Sequence, residues 1–172
     1  MLKVPITVDD HIEGDLNAPF TLVEYGDYEC PFCEMVSPII KRVQKHFGKQ
    51  LTFVYRNFPQ TEMHPYAEIA AEAAELAGSH GHFWEMHDLI YENQEALSLE
   101  LLFELVEKLG LSRTDLKNTL ENKTFEKKIR NDFNGGVRSG VNGTPTFFIN
   151  DLRYNGSFEY DELISALNHT II

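Results

Sequence analysis

The sequence is poor in cysteine, in basic charge and in long apolar runs. Among 172 residues there are only two cysteines, Cys30 and Cys33, and one tryptophan. Two thiols cannot staple a small scaffold, so the fold must rest on a buried core. Fifteen Lys and Arg against 27 Asp and Glu leave a formal charge of −12, so nucleic acid is not an expected partner. No apolar stretch approaches the ~20 residues that span a bilayer, so no membrane partner is expected either. The opening residues carry no basic segment followed by an apolar one, and Asp9 and Asp10 come early, unlike a secretory leader. For a complete chain the expectation is therefore a cytoplasmic protein; the trimmed form of an exported one would look the same. Tandem repeats, low-complexity tracts and Gly/Ser linkers are absent, and the length fits one domain over residues 1–172.

What is present is ordinary globular material, 42% hydrophobic and 24% charged. Phe20 to Tyr25 is a nearly unbroken apolar run holding one acid, Glu24, as in a strand buried on both faces. Gly26-Asp27 ends it. After Pro31 the apolar residues fall at Val36, Ile39, Ile40, Val43 and Phe47, which is helical spacing. Pro31 suits a first helical turn, Gly48 a stop, and Pro38 should kink the helix between them. Leu51 to Arg56 reads as a second strand.

From about residue 62 to 140 the pattern is helix after helix. The first has a stripe of Tyr66, Ile69, Ala70, Ala73, Ala74 and Ala77, with Glu68, Glu72 and Glu75 expected on other faces and Gly78 as its stop. Others are expected at Phe83–Ile90, around Leu102–Leu109, after a capping box at Ser112–Asp115, and along Phe125, Ile129, Phe133 and Val137. Strand character returns at Thr146–Ile149. Asn150-Asp151 supplies a tight turn, Arg153-Tyr154 opens a partner strand, and Tyr160, Leu163, Ile164 and Leu167 mark a closing helix. The order β-α-β, helical block, β-β-α predicts an α/β fold with an all-helical insertion, since the two flanking halves need each other to form one sheet.

Cys30-Pro31-Phe32-Cys33 falls where a buried strand gives way to a helix. A sulfur seated there faces unpaired N–H groups and the positive end of the helix dipole, which favours thiolate, the attacking species. Cys30 is the expected nucleophile, and Cys33, one turn on, the resolving thiol. Asp27, Glu29 and Glu34 oppose ionisation, and no Lys, Arg or His lies between residues 24 and 40, so a moderately acidic thiol is expected. Glu24 in an apolar strand is costly unless paired or neutral. Either it lies below Cys33 and takes that thiol's proton, or it reaches solvent or pairs with Arg56. His64, His80, His82 and His87 lack metal-ligand spacing, and Lys123, Lys127, Lys128 and Arg130 read as a solvated helix face.

Asp27 to Cys33, taken together with Gly143-Thr144-Pro145-Thr146-Phe147-Phe148, resembles the DsbA-like branch of the thioredoxin superfamily, over residues 18–168. The resemblance implies a thioredoxin fold, with Cys30 as nucleophile and Cys33 as its buried partner. It also implies a cis-proline at Pro145 facing the pair, and a substrate strand along the backbone of Thr144. Glu24 falls on the family's buried acid, and Pro31 and Phe32 border the bound substrate. The departure is the Pro-Phe dipeptide, since the branch's best-known strong oxidant has Pro-His there.

The expected function is thiol–disulfide exchange with protein or peptide substrates, favoured in the reductase direction. It needs no organic cofactor and no metal, and calls for a redox partner such as a reductase or glutathione. The rival readings are a peptide-binding or zinc-binding module with redox-silent thiols, and a glutathione-dependent transferase or isomerase.

Overall fold

A computed structural model of the protein describes residues 1–170. At its centre is β2 (Phe20–Gly26), hydrogen-bonded on one side to the parallel β3 (Leu51–Asn57) and on the other to the antiparallel β4 (Thr146–Ile149). β1 (His11–Glu13) and β5 (Leu152–Tyr154) are antiparallel edges, giving the order β1-β3-β2-β4-β5. A parallel pair needs a crossover connection, and α1 (Pro31–Phe47) supplies it. Pro31 opens α1, and the helix runs on through Pro38. At Gly48 the backbone takes a φ of 53°, and the strand β3 starts three residues later.

Five helices stand between β3 and β4: α2 (Ala67–Ser79), α3 (Phe83–Glu92), α4 (Leu99–Lys108), α5 (Arg113–Asn122) and α6 (Glu126–Arg138). α7 (Tyr160–His169) closes the chain. Ser98 and Ser112 cap α4 and α5, their hydroxyls accepting from the amides of Leu101 and Asp115. Asn150 and Asp151 both adopt positive φ, as a two-residue hairpin requires.

The two-residue period of the strands divides the core. Leu22, Phe53, Tyr55 and Phe147 face one way and join the apolar sides of α1, α7 and the inserted helices in one cluster. Val23, Tyr25, Val54 and Phe148 face the other way, under Phe133 of α6 and Leu2 and Ile6 of the N-terminal segment. On α1 alone, Val36, Ile40, Val43 and Phe47 are buried. Each such side chain contributes roughly 1.5–3 kcal/mol of apolar transfer free energy.

Four expectations need correction. The sheet has a fifth strand: β1 is three half-buried residues long, too short for alternation to reveal it. Gly78 lies inside α2, which ends at Ser79 before the positive φ of Gly81. Glu72 and Glu75 are buried, because the small alanines of α2 let its neighbours close over almost its whole circumference. Glu75 accepts from Asn57 Nδ2 at 2.8 Å and meets His11 Nε2 at 2.8 Å. Val137, placed on the α6 stripe, is 53% exposed.

Candidate active site

Cys30 is the residue that caps α1. Its backbone is extended (φ −76°, ψ 120°), and Pro31 takes the first helical position, where a missing N–H costs nothing. The Cys30 side chain therefore sits at the open end of the helix, where the amides of Phe32 and Cys33 have no carbonyl partner in their own helix. Cys30 keeps 4% of its surface and Cys33 none, so any attack from outside must come at Cys30. Both thiols are free. Across from them Thr144 and Pro145 are joined by a cis peptide bond, and Cys30 Sγ lies 3.4 Å from the Thr144 carbonyl oxygen. Residues 114 positions apart in sequence thus meet at one sulfur.

Ionisation of the two thiols is driven in opposite directions. The Cys30 thiol is lowered from 9.0 to about 5: the Cys33 thiol donates to its sulfur, outweighing burial, and the Thr144 side chain and the amides of Cys33 and Phe32 add to this. Cys33 is pushed well above the usual thiol range, first by burial, then by its bond to Cys30 and the charges of Glu24 and Cys30. At neutral pH the pair is a Cys30 thiolate beside a protonated Cys33.

Glu24 lies on the α1 side of the sheet, in register with Tyr55 on β3 and Phe147 on β4. It is 2% exposed, and its Oε1 has no hydrogen-bond partner among the described residues. Burial, and then the Cys30 charge, raise its carboxyl from 4.5 to about 8. The alternative pairing with Arg56 is excluded by register. Arg56 is opposite Tyr25, on the other face of the sheet, where Asp10 Oδ1, the carbonyls of Val4 and Pro5, and the Tyr25 hydroxyl all accept from it at 2.8–3.0 Å.

Two of the three acids expected to oppose the thiolate, Asp27 and Glu29, are held by hydrogen bonds. Asp27, 1% exposed, accepts from the amides of Glu29 and Gln60 and bonds His64 Nδ1 at 2.7 Å, while Glu29 Oε2 accepts from the Tyr66 amide. Two residues that sequence reasoning missed complete the surround. Gln60 Oε1 accepts from the Thr144 hydroxyl at 2.9 Å, and Gln94 Nε2 donates to the carbonyls of both Tyr28 and Cys30 at 2.9 Å. Nothing in the sequence marks either one. Phe32, between the two cysteines, is 62% exposed.

The other histidines disperse. His87 is buried against Tyr28, Tyr55 and Phe83, its Nδ1 3.0 Å from the Tyr28 hydroxyl. His82 pairs with Glu85, and His80 packs at the end of α2. Among the described residues no three His, Cys, Asp or Glu side chains gather as a metal site would require. Lys128 is drawn into an ion pair with the buried Asp132 at 2.7 Å, so the basic stretch of α6 is not wholly solvated.

A free dithiol at the head of the helix that follows the central strand, with a threonine–proline loop against it, sits in a sheet-and-helix frame of thioredoxin fold. The family model described as Thioredoxin matches residues 7–169, and the chain belongs to that family. BdbD from Bacillus subtilis, in its oxidised form, superposes with a TM-score of 0.83 at 27% identity, over 92% of this chain and 90% of that one. Alpha-DsbA1 from Wolbachia pipientis reaches 0.85 at 18% identity, over 98% and 93%, a likeness of fold. A curated relative, Na(+)/H(+) antiporter NhaA 1 from Salinispora arenicola, is 41% identical over 167 residues. The match covers 96% of this chain but 26% of that protein, so the chain spans about a quarter of the length of such relatives. None of the described helices here is long and apolar enough to cross a membrane.

Proposed function

We infer that the protein reduces disulfides in protein substrates through Cys30, with Cys33 as the resolving thiol. The observation that carries this reading is the opposed ionisation of the two sulfurs, one thiolate at the surface and one thiol beneath it. The Cys30 thiolate attacks one sulfur of the substrate disulfide. That bond breaks, the departing substrate thiolate takes a proton, and a mixed disulfide joins Cys30 to the substrate. Cys33 then gives up its proton and attacks the Cys30 sulfur, releasing the second substrate thiol and leaving Cys30–Cys33 oxidised. Two electrons pass from the dithiol to the substrate. A reductase or glutathione returns the pair to the dithiol.

Glu24 is the acceptor for the Cys33 proton, through one water. With its carboxyl near 8 it is poised to exchange a proton around neutrality and carries no lasting charge against the thiolate. An extended substrate segment lies along the backbone of Thr144 and Pro145, as an added strand before β4, with Pro31 and Phe32 forming the opposite rim.

One observation favours a second reading, the oxidising direction. Reactive thiols in Cys-X-X-Cys pairs range from ~7 down to ~3.5, and the lower ones stabilise the reduced form and make the disulfide a stronger oxidant. At about 5, Cys30 stands in the middle of that range. In an oxidising compartment the same steps run backwards and deliver a disulfide to substrate thiols.

Equilibration with glutathione redox buffers separates the two. A midpoint at or below about −260 mV supports the reductase, whereas one above about −200 mV overturns that direction in favour of the oxidant. Thiols that remain unreactive in these buffers would instead support a redox-silent binding module. Full turnover by Cys33→Ser would support a glutathione-dependent transferase.

A further inference from the structure

Three hydrogen bonds and one close contact form a ring around the nucleophile. The Cys30 amide donates to the Asp27 carbonyl at 3.1 Å, and the Gln60 amide donates to Asp27 Oδ2 at 2.9 Å. The Thr144 hydroxyl donates to Gln60 Oε1 at 2.9 Å, and Cys30 Sγ lies 3.4 Å from the Thr144 carbonyl, to which it donates only when protonated. Two titratable side chains from outside reach this ring: the buried Tyr91 hydroxyl donates to the Asp27 carbonyl at 3.5 Å, and His64 meets the Asp27 carboxylate. His64, on the segment between β3 and α2, places Nδ1 2.7 Å from the same Asp27 oxygen that holds Gln60. Asp27 has no exposed side-chain surface, while the imidazole keeps 18% of its own. The ring is therefore tied to solvent through a group that can carry positive charge near neutral pH.

The Pro-Phe dipeptide and the whole stretch from residue 24 to 40 offer the Cys30 thiolate no cation. We propose that His64, seated on Asp27, is the cation that serves this thiolate, a positioning residue supplied from 34 positions away that helps to set the reactivity and potential of the pair. Burial works against the imidazolium, but the bond to Asp27 and the charges of Asp27, Cys30 and Glu29 raise it overall. The interaction is mutual: if the Cys30 charge favours protonated His64, protonated His64 favours the thiolate by the same free energy.

The inference rests on the exchange reading above, and reciprocity gives it a separate test in the unaltered protein. The His64 imidazole is titrated by NMR in the dithiol form, in the Cys30–Cys33 disulfide form and in Cys30→Ser, the resonance being assigned with His64→Gln. The expected result is a midpoint about half a pH unit higher in the dithiol form than in the other two, since only there does a thiolate face the ring. Equal midpoints in all three overturn the proposal. In His64→Gln the Cys30 thiolate should become about threefold harder to form and the pair more reducing by ~14 mV, the same factor read as a potential. A merely structural histidine would lower melting temperature and leave both readings unmoved. Should His64→Gln fail to fold, the resonance is assigned by triple-resonance methods and the titrations decide alone. A reactive Cys30 beside a redox-blind His64 sinks this proposal only, whereas an unreactive Cys30 sinks the exchange reading itself.

Discussion

Gln94 holds the active-site loop from within the helical insertion: its Nε2 donates at 2.9 Å to the carbonyl of Cys30 and, at the same distance, to that of Tyr28. A side chain just beyond α3 thus fixes the backbone from which the Cys30 sulfur hangs. Gln94→Leu removes both donors: the Tyr28 carbonyl loses this partner, while the Cys30 carbonyl keeps only the Glu34 amide at 3.1 Å. The expected cost is about 1–3 kcal/mol of stability, read by urea unfolding, with amide exchange in residues 28–30 accelerated more than in β2. Unchanged protection there would mean that the loop is held by its own turn.

The two thiols predict two distinct losses. Cys30→Ser removes the attacking sulfur and abolishes turnover of a protein disulfide. Cys33→Ser still attacks but cannot resolve, so it accumulates a covalent adduct visible by intact mass under non-reducing conditions. An adduct on Cys33 in the Cys30→Ser protein would reverse the assigned roles, which the burial of Cys33 forbids.

Glu24 predicts a pH dependence with a definite sign. Its carboxyl is raised from 4.5 to about 8, so between those values the folded chain holds a proton that the unfolded chain has lost. Stability from this group accordingly falls as pH rises through that window and levels off above it. Glu24→Gln escapes the penalty. It should match the parent near pH 4.5 and exceed it above pH 8 by an amount on the order of a few kcal/mol. The same variant should slow release of substrate from the mixed disulfide without slowing its formation. Parallel stability curves for the two proteins would place the carboxyl in water.

Phe32 is 62% exposed at the rim of the pair and makes no contribution to the core. Phe32→Ser should leave stability within about 0.5 kcal/mol and the reaction with a small disulfide unchanged. Reaction with an unfolded protein substrate should weaken severalfold, as a rise in KM. Equal effects on both substrates would move Phe32 from substrate contact to tuning of the thiol.

Local pattern made much of this legible. The run from Phe20 to Tyr25, the spacing of Val36 to Phe47 and the Asn150-Asp151 turn each act within a few residues, and each stands where the pattern puts it. The cysteine pair was readable for the same reason, because the end of a helix is a local object. What stayed hidden depends on long-range encounter. β1 exists because β3 offers it an edge, Glu72 and Glu75 are buried because alanines let other helices close in, and His64 reaches Asp27 only once β3 has carried the chain back beside β2. The stretch from 24 to 40 holds no basic residue, yet a histidine from another segment arrives beside it.

The proposed exchange depends first on the charge of Cys30 at neutral pH, and the thiolate's ultraviolet absorbance in the reduced protein measures it directly. Titrated against Cys30→Ser as a blank, the absorbance should rise with a midpoint at about 5. A midpoint near the ordinary thiol value of 9.0 would contradict the thiolate at the head of α1 and the mechanism built on it.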